Sequence, residues 1–104
     1  MSLSQVGNYG QYETVAASQT TQALGANGNI GDYIEQLLII PATTSPGTVA
    51  LLDGSTSITI FTGGATSVAD LRPIWVKLGL VSVSGAWKIT TGANVSVLAS
   101  GRFT

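Results

Sequence analysis

The chain lacks the two residue types that carry much of enzyme and metal chemistry, because its 104 residues include no His and no Cys. Without His there is no Ser-His-Asp triad, no histidine general base and no imidazole metal ligand. Without Cys there is no disulfide framework and no thiolate metal site, although this absence does not identify a cellular compartment. The sequence therefore predicts no catalytic residue, no metal site and no cofactor, and it favours a packing or binding role over an enzyme.

Charge is also scarce: charged residues make up 9% of the chain, and the formal net charge is −1. The four basic residues are Arg72, Lys77, Lys88 and Arg102. They are too few to neutralise a stretch of phosphates, so no nucleic-acid partner is expected. The usual charged fraction is about a quarter, and free monomers use charge to stay soluble. Either neighbouring molecules cover much of this surface, or it is a hydroxyl-rich β-protein surface; composition leaves both interpretations open.

Long apolar runs are absent, although hydrophobic residues make up 44% of the chain and the mean hydropathy is +0.38. The apolar run at 37–40 is four residues long, whereas a membrane-spanning helix needs roughly 20. No membrane partner is expected. The N-terminus shows neither a basic n-region nor an apolar h-region, so no secretory signal is expected either. The length fits one domain that buries about two thirds of its unfolded surface.

Residues 1–22 are rich in Gln, Gly, Ser and Thr, with few apolar residues, among them Tyr9 and Tyr12. Such a segment buries too little apolar surface to offset the entropy of ordering it alone. We predict an extended N-terminal arm over 1–22, with a possible strand near 13–17. Two interpretations stay open: an arm that becomes ordered against a partner, and a frayed terminus.

Residues 23–104 show a β pattern, in which short apolar runs alternate with Gly-containing turns about every ten residues. The turns include Asp53-Gly54 and Gly63-Gly64. No segment sustains a period of 3.6 residues, so almost no helix is expected. This spacing is typical of an all-β fold. We predict a single β-sandwich, jelly-roll or Ig-like, of about 7–8 short strands, one of them supplied by the N-terminal segment.

Two predicted strands carry apolar residues on both faces, as expected for surfaces that contact another molecule. In the run at 32–40, Tyr33 and Glu35 are assigned to the face of Leu37 and Ile39. The run at 74–83 is the longest predicted strand, with its even-numbered residues directed inward. The candidate interface residues are Leu37, Leu38, Ile39, Ile40, Trp75, Lys77, Arg72, Arg102, Tyr9 and Tyr12.

The acidic and aromatic residues are the remaining candidates for chemistry. Asp32 and Glu35 are three residues apart, so a strand directs them to opposite faces, which argues against a glycosidase carboxylate pair. Turn and edge roles are the favoured interpretation of the acidic residues. Trp75 and Trp87 could stack on sugar rings, but aromatic residues on strands more often serve as core or interface anchors. Arg72 could pair with Asp70 or with another chain.

Four strings carry a resemblance to a known family: GDYIE at 31–35, IPATTSPG at 40–47, FTGG at 61–64 and AWKITTGANVS at 86–96. Through them, residues 15–104 resemble a family of small proteins encoded in tailed-phage genomes, particularly those of phages that infect marine and soil bacteria. The resemblance implies a structural role on the virion, and it brings no set of functional residues.

From this resemblance and the low charge we infer a narrower expectation, a capsid cement or decoration protein. Such a protein would be made in the host cytoplasm and lie on the capsid surface as a homotrimer, with the major capsid protein as its partner. Three alternatives stay open at this point: a tail, neck or fibre component, a carbohydrate-binding module for host attachment, and a small carboxylate hydrolase.

Overall fold

The computed structural model describes residues 11–104. Short β-branched runs form eight strands, and along most of them more and less buried side chains alternate. The strands are β1 (Gln11–Val15), β2 (Gln22–Ala23), β3 (Tyr33–Pro41), β4 (Val49–Asp53), β5 (Thr56–Phe61), β6 (Ile74–Val81), β7 (Trp87–Thr91) and β8 (Val95–Arg102). They form two four-stranded antiparallel sheets, which confirms the predicted all-β sandwich. Within the described range, no helix is long and apolar enough to cross a membrane.

The two sheets have matching strand orders. Sheet A has the order β1-β8-β3-β6 and sheet B has the order β2-β7-β4-β5. The edge strands β1 and β2 lie at the same flank, because the Gln22 side chain donates to the carbonyl of Thr14 at 3.2 Å and the Gly25 N–H donates to the Glu13 carboxylate at 2.6 Å. The edge strands β5 and β6 therefore share the opposite flank.

The core lies between the sheets and is built from the inward residue of each strand. In β8, buried Val95, Val97 and Ala99 alternate with half-buried residues. Trp87 and Ile89 of β7 are buried together from the opposite sheet. The remaining core residues are Val15, Leu24, Ile34, Leu37, Ile39, Val49, Leu51 and Phe103.

The predicted alternation of β3 is wrong before Leu37. Against β8, Ile34 pairs with Gly101 and Gln36 pairs with Ser100, so Glu35 is an extra residue in a β-bulge. A bulge shifts the phase of the side chains by one residue. Ile34 is consequently the residue that shares the inner face with Leu37, while Tyr33 and Glu35 are exposed.

The predicted boundary between an arm and a domain at residues 22/23 is also revised. Residues 11–15 form β1, which pairs along its whole length with β8, and residue 22 begins β2. Backbone hydrogen bonds between strands order this polar stretch, and the hydrophobicity of its side chains does not indicate them. Residues 11–22 thus belong to the sandwich, and the rest of the predicted arm lies outside the described residues. The predicted strand 74–83 ends earlier, at Val81, and nine-residue β3 is longer than it.

Candidate interaction surface

The buried carboxylates hold the chain together instead of facing a cleft. Asp32, only 5% exposed, accepts hydrogen bonds from the N–H groups of Asn29 at 3.2 Å and Thr104 at 3.0 Å, and from the Thr104 hydroxyl at 3.0 Å. It thereby fixes the described C-terminal end to the turn before β3. Glu35, the other member of the considered carboxylate pair, is exposed at the bulge.

Asp53 at the end of β4 holds the connection between β6 and β7. Its carboxylate accepts hydrogen bonds from the N–H groups of Val83 at 3.1 Å and Ser84 at 3.0 Å. Burial acts to raise the pKa of the Asp53 carboxyl, but the N–H groups of Ser84, Val83 and Gly85 favour its charged form. These donors lower the pKa below its usual value. The arrangement is a structural clamp across the two sheets.

No grouping among residues 11–104 brings together three or more His, Cys, Asp or Glu side chains able to hold a metal ion. Asp70 is engaged with Arg72, since the Arg72 Nε lies 3.1 Å from its carboxylate. This is one of the two pairings predicted for Arg72. Both side chains are largely exposed, so the pair adds little to stability.

The two tryptophans have opposite environments. Trp87 is buried, and its Nε1–H donates to the main-chain carbonyl of Asp32 at 2.8 Å. Trp75 lies on edge strand β6 and is 58% exposed. A buried indole with a satisfied N–H is a core residue, whereas an exposed indole on a sheet face is available to a ligand or a partner. Of the two, only Trp75 is a candidate contact residue.

Trp75 belongs to an apolar row that crosses the outer face of sheet A. The strand registers place Trp75 beside Leu38, and Leu38 beside Leu98 of β8. Leu38 and Leu98 are half-buried, and Ile40, two residues along β3, is 36% exposed. Neighbouring strands are about 4.8 Å apart, so this row spans about 10 Å across three strands. We call these four residues the apolar row.

Polar and basic residues border the apolar row. The next row along the strands consists of Lys77, Gln36, Ser100 and Tyr12, which occupy successive strands. Tyr12 is 69% exposed and Lys77 is exposed. Arg102 lies beside Tyr33 farther along the same face. The face thus combines an apolar centre with two cationic side chains at its border, the anatomy of an interaction surface.

The outer face of sheet B differs in kind. Its register places Thr59 beside Ala50 and Ala50 beside Thr90, with Ser57 and Lys88 on either side of Leu52. These side chains are mostly small or hydroxylated, and the face carries no aromatic side chain among the described residues. The contrast makes the outer face of sheet A the candidate contact face.

The structure separates the ten predicted interface residues into groups. Leu38, Ile40, Trp75, Lys77, Arg102 and Tyr12 lie on the outer face of sheet A. Leu37 and Ile39 are fully buried, which corrects the prediction: they belong to the core because the bulge fixes their phase toward sheet B. Arg72 lies outside the sheets in the loop before β6, and Tyr9 lies outside the described residues.

The candidate interface residues did not include Leu98, Gln36 and Val81, which also lie on this face. Leu98 is the one large apolar residue on the otherwise Ser- and Arg-bearing face of β8. Strand alternation predicts Gln36 on the face of Leu38 and Val81 on the face of Trp75, but it does not show that strand pairing joins these residues into one surface. No family model, no curated protein and no solved structure matches this chain.

Proposed function

We propose that this chain is a non-enzymatic structural protein of a phage virion, a capsid cement or decoration protein that binds the major capsid protein on the shell surface. The observation that supports an interaction role is the outer face of sheet A, with Trp75, Leu38, Leu98 and Ile40 in one apolar row. The virion as its location comes from the resemblance of the strings at 31–35, 40–47, 61–64 and 86–96 to small tailed-phage proteins.

The chemistry of the face suits a large protein partner. An interface core is depleted of charge and enriched in aromatic residues, and a few anchors such as Trp carry most of the binding energy. The apolar row offers Trp75 as the anchor, and only side chains at its border carry charge. Few ions need to be stripped of water when this face is covered, so desolvation costs little. The shell is stabilised because one protein covers contacts between neighbouring capsid subunits.

The proposal includes self-association, with a homotrimer as the expected form. In a cyclic trimer each subunit contributes two different patches, one to each neighbour. Sedimentation equilibrium of the purified chain checks this part. A mass that is a multiple of three chains is expected, and a monomer or a dimer at the highest soluble concentration would contradict the trimer while leaving the capsid contact unaffected.

Quantitative mass spectrometry of purified virions from the phage that encodes the chain tests the proposal. We expect the chain in mature particles at a copy number comparable with that of the major capsid protein. Its absence from mature particles would overturn the virion role. A few copies per particle would instead place it in the tail, neck or fibre and overturn the cement role.

A second candidate, glycan binding for host attachment, is favoured by one observation: Trp75 is an exposed indole on a sheet face with Gln36 and Lys77 nearby. Sugar platforms combine an aromatic ring with polar side chains that satisfy the hydroxyls. Against this, Leu38 lies directly beside Trp75. A glycan array with wild type, Trp75→Ala and the loop control Leu71→Ala checks it: binding lost only in Trp75→Ala supports this function, and no binding by wild type rejects it.

A further inference from the structure

The flank formed by β5 and β6 is covered less well than the rest of the sandwich. The side chains of Ile58 and Leu80 pair with buried Leu51 and Ile34, so they face the core, yet they are 43% and 47% exposed. Other inward residues of this flank are only partly buried: Ile60, Phe61, Ile74, Val76 and Leu78. At the opposite flank, in contrast, the apolar residues Val15 and Leu24 are fully buried, and the inward residues that are half-buried there, Glu13 and Gln22, are polar.

Within residues 11–104, no strand adjoins the outer edges of β5 and β6, which are the last strands of their sheets. An unpaired edge is a template for another strand unless charge, Pro or a bulge blocks it. β5 carries no charged residue or Pro, and β6 carries a single charge, Lys77. Both edges carry one irregularity: in β6 it lies between Lys77 and Leu80, which leaves residues 74–77 regular, and in β5 it lies between Thr59 and Phe61, which leaves residues 56–59 regular.

We propose that a second copy of this chain covers the flank, so that β6 pairs antiparallel with β6 and β5 pairs antiparallel with β5 across a two-fold axis normal to the sheets. A partner must present two strand edges about 10 Å apart to satisfy both edges at once. The same flank of another copy has this spacing by construction. An isologous contact of this kind joins each patch to itself and closes the assembly.

Charge repulsion excludes one register of β6, and the pairing of Trp75 with Lys77 favours another. Pairing centred on Lys77 would place Lys77 opposite Lys77 of the second copy, and like charges directly opposite are destabilising. Centring on Val76 keeps every side chain on its own face and places Trp75 opposite Lys77 of the second copy. A cation within about 6 Å of an indole face is attracted to it. This register also places Ile74 opposite Leu78 of the second copy on the inner face, which continues the core.

The size of the patch fits a weak contact. The register centred on Val76 pairs residues 74–78, which span about 17 Å at about 3.3 Å per residue, and two sheets with their side chains are about 20 Å thick. Each copy then buries about 330 Å², or about 700 Å² for the pair, which is below the roughly 1,000 Å² of a stable specific interface and corresponds to a weak dimer that forms at high concentration.

The inference goes beyond the proposed function and does not rest on it, because it uses the outer edges of β5 and β6, and of the outer face of sheet A only Trp75 and Lys77 lie at that edge. Sedimentation of wild type, Ile58→Lys and Ile30→Lys tests it. Ile30 is 65% exposed in the turn before β3 and serves as the control. We expect Ile58→Lys to halve the mass of the assembly and Ile30→Lys to leave it unchanged. The mass is halved whether the wild-type assembly is a dimer that separates into monomers or a pair of trimers that separates into single trimers.

Single-cysteine variants test the register, since the wild-type chain has no Cys. Val76→Cys places two thiols beside the proposed two-fold axis, and Ala93→Cys places them in an exposed turn far along the strands. A short bismaleimide is expected to convert Val76→Cys, but not Ala93→Cys, into a covalent dimer. Equal cross-linking of the two variants, or an Ile58→Lys chain that keeps the mass of wild type, would overturn the proposal. If a segment of capsid protein occupies this edge instead, wild type will self-associate only as strongly as Ile58→Lys does.

Discussion

At the scale of residues, two buried aspartates hold one short stretch of chain from opposite sides. The main-chain carbonyl of Asp32 accepts the N–H of Ser82 at 2.9 Å, while the carboxylate of Asp53 accepts those of Val83 and Ser84. The connection from β6 to β7 leaves the strand ladders here, and these bonds satisfy the backbone donors that the ladders no longer pair. One Asp side chain thus joins the two sheets at the end of the sandwich.

Asp53→Asn is expected to lower the free energy of unfolding at pH 7 by about 1 kcal/mol, since charge-assisted hydrogen bonds weaken while water reaches the exposed Val83 and Ser84. The folded-state pKa of Asp53 is lowered, so its stabilisation is present above the unfolded pKa of about 3.9 and is lost as pH falls through the folded pKa. Urea denaturation at pH 7 and in steps below pH 4 measures both effects. A difference between wild type and variant that stays constant down to the lowest pH would contradict the clamp.

Ser100 offers the opposite case. Its hydroxyl is the buried side-chain polar atom that has no hydrogen-bond partner among the described residues. A buried hydroxyl without a partner costs free energy, so Ser100→Ala is expected to leave the free energy of unfolding unchanged or to raise it by up to about 1 kcal/mol. Thermal and urea denaturation check this. A loss of more than about 1 kcal/mol would show that the hydroxyl has a partner that supports the fold.

At the scale of elements, the bulge at Glu35 sets which side of β3 faces the core, and the neighbouring strand accommodates it through a glycine. Gly101 of β8 lies beside Ile34, and a Cβ at this position would overlap the Tyr33 carbonyl and meet the Ile34 Cα at 2.9 Å. The close approach of the two backbones requires the absence of a side chain. The bulge and this glycine therefore act together to fix the register of sheet A.

Gly101→Ala is expected to destabilise the chain by about 2–3 kcal/mol, because β3 and β8 must move apart at the centre of sheet A. Ser100→Ala, the adjacent change on the same strand, is the matched control. Urea denaturation with circular dichroism compares the two variants. An unchanged midpoint for Gly101→Ala would mean that the backbones are not in close approach.

Strands that are determined by a local residue pattern could be predicted from the sequence, whereas features that depend on pairing with a distant strand could not. The strands β7 and β8 follow from strict alternation of apolar and polar residues. The buried face carries Trp87 and Ile89 in β7, and Val95 and Val97 in β8. The bulge at Glu35 leaves no mark in composition, so the faces of β3 before Leu37 were predicted wrongly. The strand β1 is ordered by pairing with β8. This long-range contact cannot be predicted from the polar residues of β1. The interface residues share this limit, because the apolar row exists only once three strands are in register.

At the scale of the whole molecule, the sandwich is asymmetric in two directions. The outer face of sheet A carries large apolar side chains, whereas that of sheet B carries small and hydroxylated ones. One flank is closed over Val15 and Leu24, whereas the other leaves Ile58 and Leu80 partly exposed. With a net charge of −1 over 104 residues, neither exposed surface is protected by charge. Both surfaces have the properties of contacts that neighbours cover.

The occupancy of the chain on particles is expected to depend on Trp75. Trp75→Lys places a charge in the apolar row, and burying it unpaired against the shell would oppose binding, with a loss of at least about tenfold in affinity. Leu71→Lys, a change at a loop residue that is 51% exposed, is the control. Binding of each variant to particles that lack the chain measures the effect. Equal binding of the two variants would show that the apolar row is not the contact.

An image of the virion by electron cryomicroscopy, with this chain located in the density, tests the central claim most directly. The account predicts sandwiches on the outer surface of the shell, with the outer face of sheet A turned toward capsid protein and Trp75 enclosed in that contact. Shell density that lacks the chain, or sandwiches whose sheet A faces solvent, would contradict it.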